Sequence, residues 1–179
     1  MKRVLSLAVA ACLAAPALGL AQDQPGAVAS ALKVTLARFT TNMPGAADSM
    51  PADKYGFKPT PGQMSFGEII AHEAESNETL CAAINGSAAT PSESAAGATA
   101  AKADLVARLR RSFEYCGTVV GAVKDAQLGD SVPFFGGHKA TRARAVIALA
   151  QDWADHYAQA AMYLRLNGIL PPSARPRKP

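Results

Sequence analysis

The sequence predicts an all-α protein, a four-helix bundle preceded by a signal peptide. Alanine dominates the apolar residues and aromatics make up only 6% of the chain, a composition that favours helix over strand. Four segments repeat apolar residues at spacings of three and four, the period of one helix face. Stretches rich in Pro, Gly and Ser separate them. Amphipathic helices with no strand signal between them bury their stripes against one another, and a bundle is the economical way to do so.

The chain opens with Lys2 and Arg3, an apolar run from Val4 to Ala17, and small residues at Gly19-Leu20-Ala21. This is the layout of a secretory signal peptide. Pro16 interrupts the run, which is shorter than the ~20 residues a permanent span needs. Cleavage is expected after Ala21, giving a leader of 1–21 and a periplasmic or secreted mature chain. Val9-Ala10-Ala11-Cys12 loosely resembles a lipobox, a competing reading that would truncate the apolar region. Nothing after Ala21 is apolar enough to span a membrane. The mature part has a one-domain length with room for a core, expected over 22–172, with a disordered basic tail at 173–179.

Helix 1 is expected from Ala27 to Met43, with Val28, Leu32, Leu36, Phe39 and Met43 inward and Pro44-Gly45 as the stop. A proline-rich stretch, Ala46 to Gln63, follows, and Tyr55 and Phe57 could anchor it. Helix 2 begins at Ser65, which forms a capping box with Glu68. Its inward residues are Ile69, Ile70, Leu80, Cys81 and Ile84, and Asn85-Gly86 closes it. Ser87 to Thr99 reads as a flexible linker. Helix 3 spans Ala100 to Ala126, with Leu105, Leu109, Phe113, Cys116, Val120 and Val123 forming the strongest core stripe. A loop from Leu128 to His138 leads to helix 4, Thr141 to Asn167, whose inward row is Val146, Ala150, Trp153, Tyr157, Ala160 and Leu164. Gly168 and Pro171-Pro172 end it.

Charge excludes one class of function. Of the 18 basic residues, Lys2 and Arg3 leave with the leader and three more crowd the last five positions, against 14 acidic residues in all. The body is near neutral and offers no footprint for nucleic acid. The partners left open are a small-molecule ligand and a second copy of the chain, with no membrane contact after cleavage.

The chain has three histidines, His72, His138 and His156. Asp152 and His156 are four apart and share one face of helix 4, in a row continuing through Gln159 and Tyr163. If helices 2 and 4 are neighbours, His72 joins them at one end of the bundle. Two imidazoles and a carboxylate suit a divalent first-row metal such as zinc, nickel, manganese or iron, which acidifies water at neutral pH or holds a thiolate. A helical histidine beside a core stripe is also a common packing residue. His138 follows two glycines and reads as exposed. No nucleophile or general base is evident, so catalytic residues stay unassigned.

Ser65 to His72 (SFGEIIAH) resembles the start of the second helix in the DinB/YfiT-like family, where the histidine is a metal ligand. Asp155 to Gln159 (DHYAQ), Tyr163 to Gly168 (YLRLNG) and Pro171-Pro172-Ser173 resemble its last helix, with its second ligand histidine. Tyr55 to Gly62 (YGFKPTPG) is similar to the approach to helix 2 in exported members. The resemblance covers most of Lys54 to Ser173 and implies a DinB-like topology, with helices 2 and 4 side by side. It further implies a site of His72, Asp152 and His156 with thiol-transfer, isomerase or hydrolase chemistry on small molecules. Familiar members carry a third histidine where this chain has Asp152, which either replaces it as a ligand or weakens the site. Gln159, Tyr163, Tyr55 and Phe57 are the expected pocket lining. A non-catalytic ligand-binding or stress-associated bundle is the alternative.

Two cysteines, Cys81 and Cys116, remain after the leader, and in an oxidising compartment they suggest a disulfide between helices 2 and 3. In a tight hairpin the two would lie at different levels. The linker, about 43 Å when extended, is long enough for helix 3 to start parallel to helix 2, the order the resemblance implies. Two buried free thiols are the alternative.

Overall fold

The computed structural model describes residues 26–88 and 100–176; the expected leader, all but two residues of the linker, and the last three residues lie outside them. Four helices make the body: α1 (Ala27–Ser49), α2 (Phe66–Ile84), α3 (Lys102–Ala122) and α4 (Arg142–Leu166). Among the described residues, no helix is long and apolar enough to cross a membrane.

α1 runs six residues beyond its expected end and carries Pro44 inside it. A proline there forgoes one backbone hydrogen bond and crowds the preceding turn. The helix continues because Ala46, Ala47 and Met50 extend the buried stripe past it. At the other end Val28 is 44% exposed, and Ala29 takes the inward position instead. The Asp125 carboxylate caps this end, accepting from the Val28 and Ala29 amides at 3.0 and 2.8 Å. Negative charge is favourable at a helix N-terminus. α3 stops at Ala122, short of the expected Ala126, and Asp125 lies in the 3-10 turn that follows.

The proline-rich approach to α2 is ordered by Tyr55. Its hydroxyl donates to the Ala47 carbonyl at 2.7 Å, and its ring meets Phe66 edge-on at 5.2 Å. Gly67 permits this, since a Cβ there would sit 3.3 Å from the Tyr55 ring. The capping box forms as predicted. Ser65 Oγ accepts from the Glu68 amide at 3.2 Å, and Glu68 Oε2 accepts from the Ser65 amide at 2.5 Å. The Ser65 amide first, then Lys58 at 3.0 Å, holds the Glu68 carboxyl down to about 2.

Cross-links fix the direction of each helix. Asn77 meets Ser112 and Cys81 meets Cys116 at the same offset, so α2 and α3 run parallel. His72 meets His156 while Asn77 meets Trp153, so α2 and α4 run antiparallel. At its C-terminal end α1 is tied to the N-terminal half of α3, where Arg110 pairs with Asp48 and Lys102 donates to the Asp48 and Met50 carbonyls. α2 therefore packs chiefly on α3 and α4, as does α1. Trp153 fills the centre, with Phe39 at 6.1 Å and Phe113 at 6.0 Å between ring centroids.

The segment expected as a loop after α3 contains a short antiparallel hairpin, β1 (Ser131–Pro133) with β2 (Lys139–Thr141). Val132 is buried and anchors it, while Gly136 and Gly137 turn with positive φ, where a side chain would be strained. The tail expected to be disordered from Ser173 is held at its start. Ser173 exchanges two hydrogen bonds with the Tyr157 hydroxyl, and Arg175 donates to the Leu170 carbonyl and Ser49 Oγ.

Candidate metal centre

The seam between α2 and α4 is set by a buried amide. Asn77 accepts from Trp153 Nε1 at 2.6 Å and donates to Ser112 Oγ at 3.0 Å. With this register fixed, the antiparallel helices bring His72 opposite His156, one turn from Asp152. The two imidazole rings meet edge to face, 4.6 Å between centroids. His156 Nε2 lies 3.3 Å from Asp152 Oδ1. One ligand atom from each of His72, Asp152 and His156 falls within 4.8 Å of the others. Donors of one zinc-like ion, each ~2.0–2.2 Å from it, can be about 4.4 Å apart at most, so these three need only a small side-chain adjustment. His72 is exposed and, beyond the His156 ring, meets Ser76 Oγ at 3.5 Å, so it has the freedom to make it.

Burial and charge oppose each other at His156. Burial disfavours its charged form, but the Asp152 hydrogen bond and charge, helped by Asp155 and Gln159, outweigh this and raise its pKa. Beside it lies a residue that periodicity left unremarked. Glu73 is wholly buried, and burial first, with the Asp152 charge adding, pushes its carboxyl well above the usual range. Among the described residues, the buried side-chain polar atoms with no hydrogen-bond partner are both Glu73 oxygens, Asp152 Oδ2 and His156 Nδ1. Native interiors rarely leave such atoms unsatisfied, and each asks for a water or an ion. Asp152 Oδ2 and His156 Nδ1 belong to the cluster itself, and Glu73 is near enough to feel the Asp152 charge. The donor set and its orphaned atoms therefore fit a divalent cation.

The expected pocket lining is distributed unevenly. Gln159 donates to Asp155 at 3.3 Å. Tyr163 is two turns further along α4, buried, with its hydroxyl donating to the Met64 carbonyl at 2.9 Å and its ring edge-on to Phe57 at 5.9 Å. Phe57 thus roofs the end of the bundle near Tyr163, about 10 Å along the helix from His156. Tyr55 does not line a pocket at all. It belongs to the core, because the short turn at Ala52–Lys54 directs it beneath α2. His138 is exposed in the hairpin turn and stands apart from the cluster, as expected. Cys81 and Cys116 are joined, with Cα atoms 5.4 Å apart. The neglected residues Glu73 and Asn77 carried one available signal: both fall on the inward stripe between Ile70 and Leu80, where a polar residue is out of place.

A bundle with parallel second and third helices and a His/Asp/His cluster on its second and fourth defines a class of potential metal proteins. The DinB superfamily model matches residues 35–160, and the chain belongs to this superfamily. No curated protein matches it significantly. Its fold is similar to a DinB-like protein (YjoA) from Bacillus subtilis, with a TM-score of 0.64 and 19% identity over 83% of this chain and 99% of that one. A conserved protein from Enterococcus faecalis gives 0.63 and 20% identity over 78% of this chain and 96% of that one. A histidine-to-alanine mutant of the mycothiol-dependent maleylpyruvate isomerase gives 0.61 and 12% identity over 73% of this chain. The match spans 59% of the isomerase's length.

Proposed function

We propose that this chain is an exported DinB-superfamily protein that binds one divalent metal through His72, Asp152 and His156 and performs transferase or hydrolase chemistry on small molecules. The observation that carries the reading is the convergence of two imidazoles and a carboxylate, whose ligand atoms lie within 4.8 Å of one another and which include the buried, unpartnered Asp152 Oδ2 and His156 Nδ1. Zinc, nickel, manganese and iron all accept such donors. When bound, the ion supplies Lewis acidity to an adjacent reacting group. The chain's own residues do the rest. Asp152 holds the His156 ring, and exposed His72 marks the side from which a small molecule arrives.

One observation favours a binding protein without turnover. The Tyr55 and Tyr163 hydroxyls donate to backbone carbonyls and the two cysteines are bonded together, so none of these serves as a nucleophile. Metal analysis of the purified mature chain, followed by turnover of a panel of thiol acceptors and esters, separates the readings. Metal with turnover supports the enzyme, metal without turnover a binding protein, and no metal a stress-associated or structural bundle. Export is tested by intact mass: the mature chain should begin at Gln22, whereas a diacylglyceryl group on Cys12 would show lipidation.

A further inference from the structure

We infer that Glu73 is a fourth protein donor to the ion proposed for His72, Asp152 and His156, giving a centre of two imidazoles and two carboxylates. The inference rests on the metal-centre reading above and adds a residue to it.

Glu73 is 0% exposed, and neither of its oxygens has a hydrogen-bond partner. A carboxyl in that condition is the most expensive side chain to leave idle in a core. It follows His72 directly, so it projects about 100° further round α2, towards the interior, while His72 stays at the rim. One turn on, Asn77 is hydrogen-bonded to Trp153, the neighbour of Asp152. Because α2 and α4 are antiparallel, one turn back from Asn77 is level with one turn forward from Trp153, where His156 stands. Glu73 therefore approaches the cluster from its buried side.

The remaining orphaned atoms are Asp152 Oδ2 and His156 Nδ1, and the Asp152 charge acts on Glu73. Glu73 stands outside the three residues whose ligand atoms lie within 4.8 Å of one another, so its carboxylate reaches the ion by a side-chain rotation. Two carboxylates also cancel the charge of a divalent cation. A centre that is neutral overall is far easier to bury than one carrying net charge. Adding a second oxygen donor moves the preference towards manganese and iron, which favour carboxylates, without excluding zinc.

The test titrates the mature protein with Mn2+ and Co2+ and compares it with Glu73→Gln and Glu73→Met. Each variant should bind Co2+ roughly tenfold or more weakly and show a changed cobalt d–d absorption spectrum. Without metal, Glu73→Met should melt no lower than the wild type, because it removes an unpartnered buried carboxyl. Variants with wild-type affinity and spectrum would overturn the role of Glu73 while leaving the three-donor centre intact. A wild type that takes up neither ion would overturn both. A crystal structure of the wild-type cobalt complex decides the matter even where a variant misfolds. A Glu73 oxygen about 2.0–2.3 Å from the ion supports the assignment, and one beyond hydrogen-bond distance overturns it.

Discussion

Removing the Cys81–Cys116 bond should cost this fold a large share of its stability. The bond joins positions 35 residues apart and staples two parallel helices. For a loop of that length, the chain-entropy relation gives ~13 cal/mol/K, or about 3.8 kcal/mol at 25 °C. Domains of ordinary stability hold only ~5–15 kcal/mol, and at this size each kcal/mol moves the melting temperature by roughly 2–4 °C. The reduced chain should therefore melt about 8–15 °C below the oxidised one. Thermal unfolding followed by far-UV circular dichroism reads this directly, on oxidised protein, reduced protein and a Cys81→Ala/Cys116→Ala double variant. The last two should melt close together and below the first. Coincident melts of oxidised and reduced protein would refute the reasoning, as would two freely alkylated thiols in protein recovered from an oxidising compartment.

Two further outcomes follow from the site and the cap. His156→Ala removes a donor shared with Asp152 and should abolish zinc, nickel and manganese binding in calorimetric titration, whereas Asp152→His should keep or strengthen it. Glu68→Ala should destabilise by about 0.5–1 kcal/mol at neutral pH, allowing for the exposure of the side chain. Because the folded pKa of Glu68 is held down to about 2, below the ordinary carboxylate value of about 4.5, its contribution is present above pH 4.5 and is lost as the pH falls towards 2. Denaturant unfolding at neutral pH and near pH 2.5 should show the gap between wild type and variant closing.

Much of the fold was legible because local and tertiary signals agree. The box of Ser65 with Glu68, the stripe from Leu105 to Val123 and the stop at Gly168 each have a short-range cause, and each stands where the sequence places it. The misreadings have tertiary causes. Pro44 reads as a stop only until the burial of Ala46 and Ala47 outweighs its missing amide. The hairpin at Ser131–Thr141 is too short for period-two alternation to register, and Val132 holds it by burial alone. Asp125 caps α1 from almost a hundred residues away, a contact that no local pattern announces. The candidate site was legible as far as Asp152 and His156, whose spacing shares a helix face. His72 needed the resemblance to join them. Glu73 and Asn77 showed only as polar breaks in the inward stripe between Ile70 and Leu80, and their burial reveals them as groups placed in the core beside that face.

The central claim, one divalent cation held between α2 and α4, is tested most directly by an anomalous difference map. Crystals of the mature protein grown with Mn2+, Co2+ or Zn2+ should show one strong peak per chain. It should lie about 2.0–2.3 Å from donor atoms of His72, Asp152 and His156. No peak at that position with any of the three ions, in crystals where the cluster is open to solvent, would contradict it.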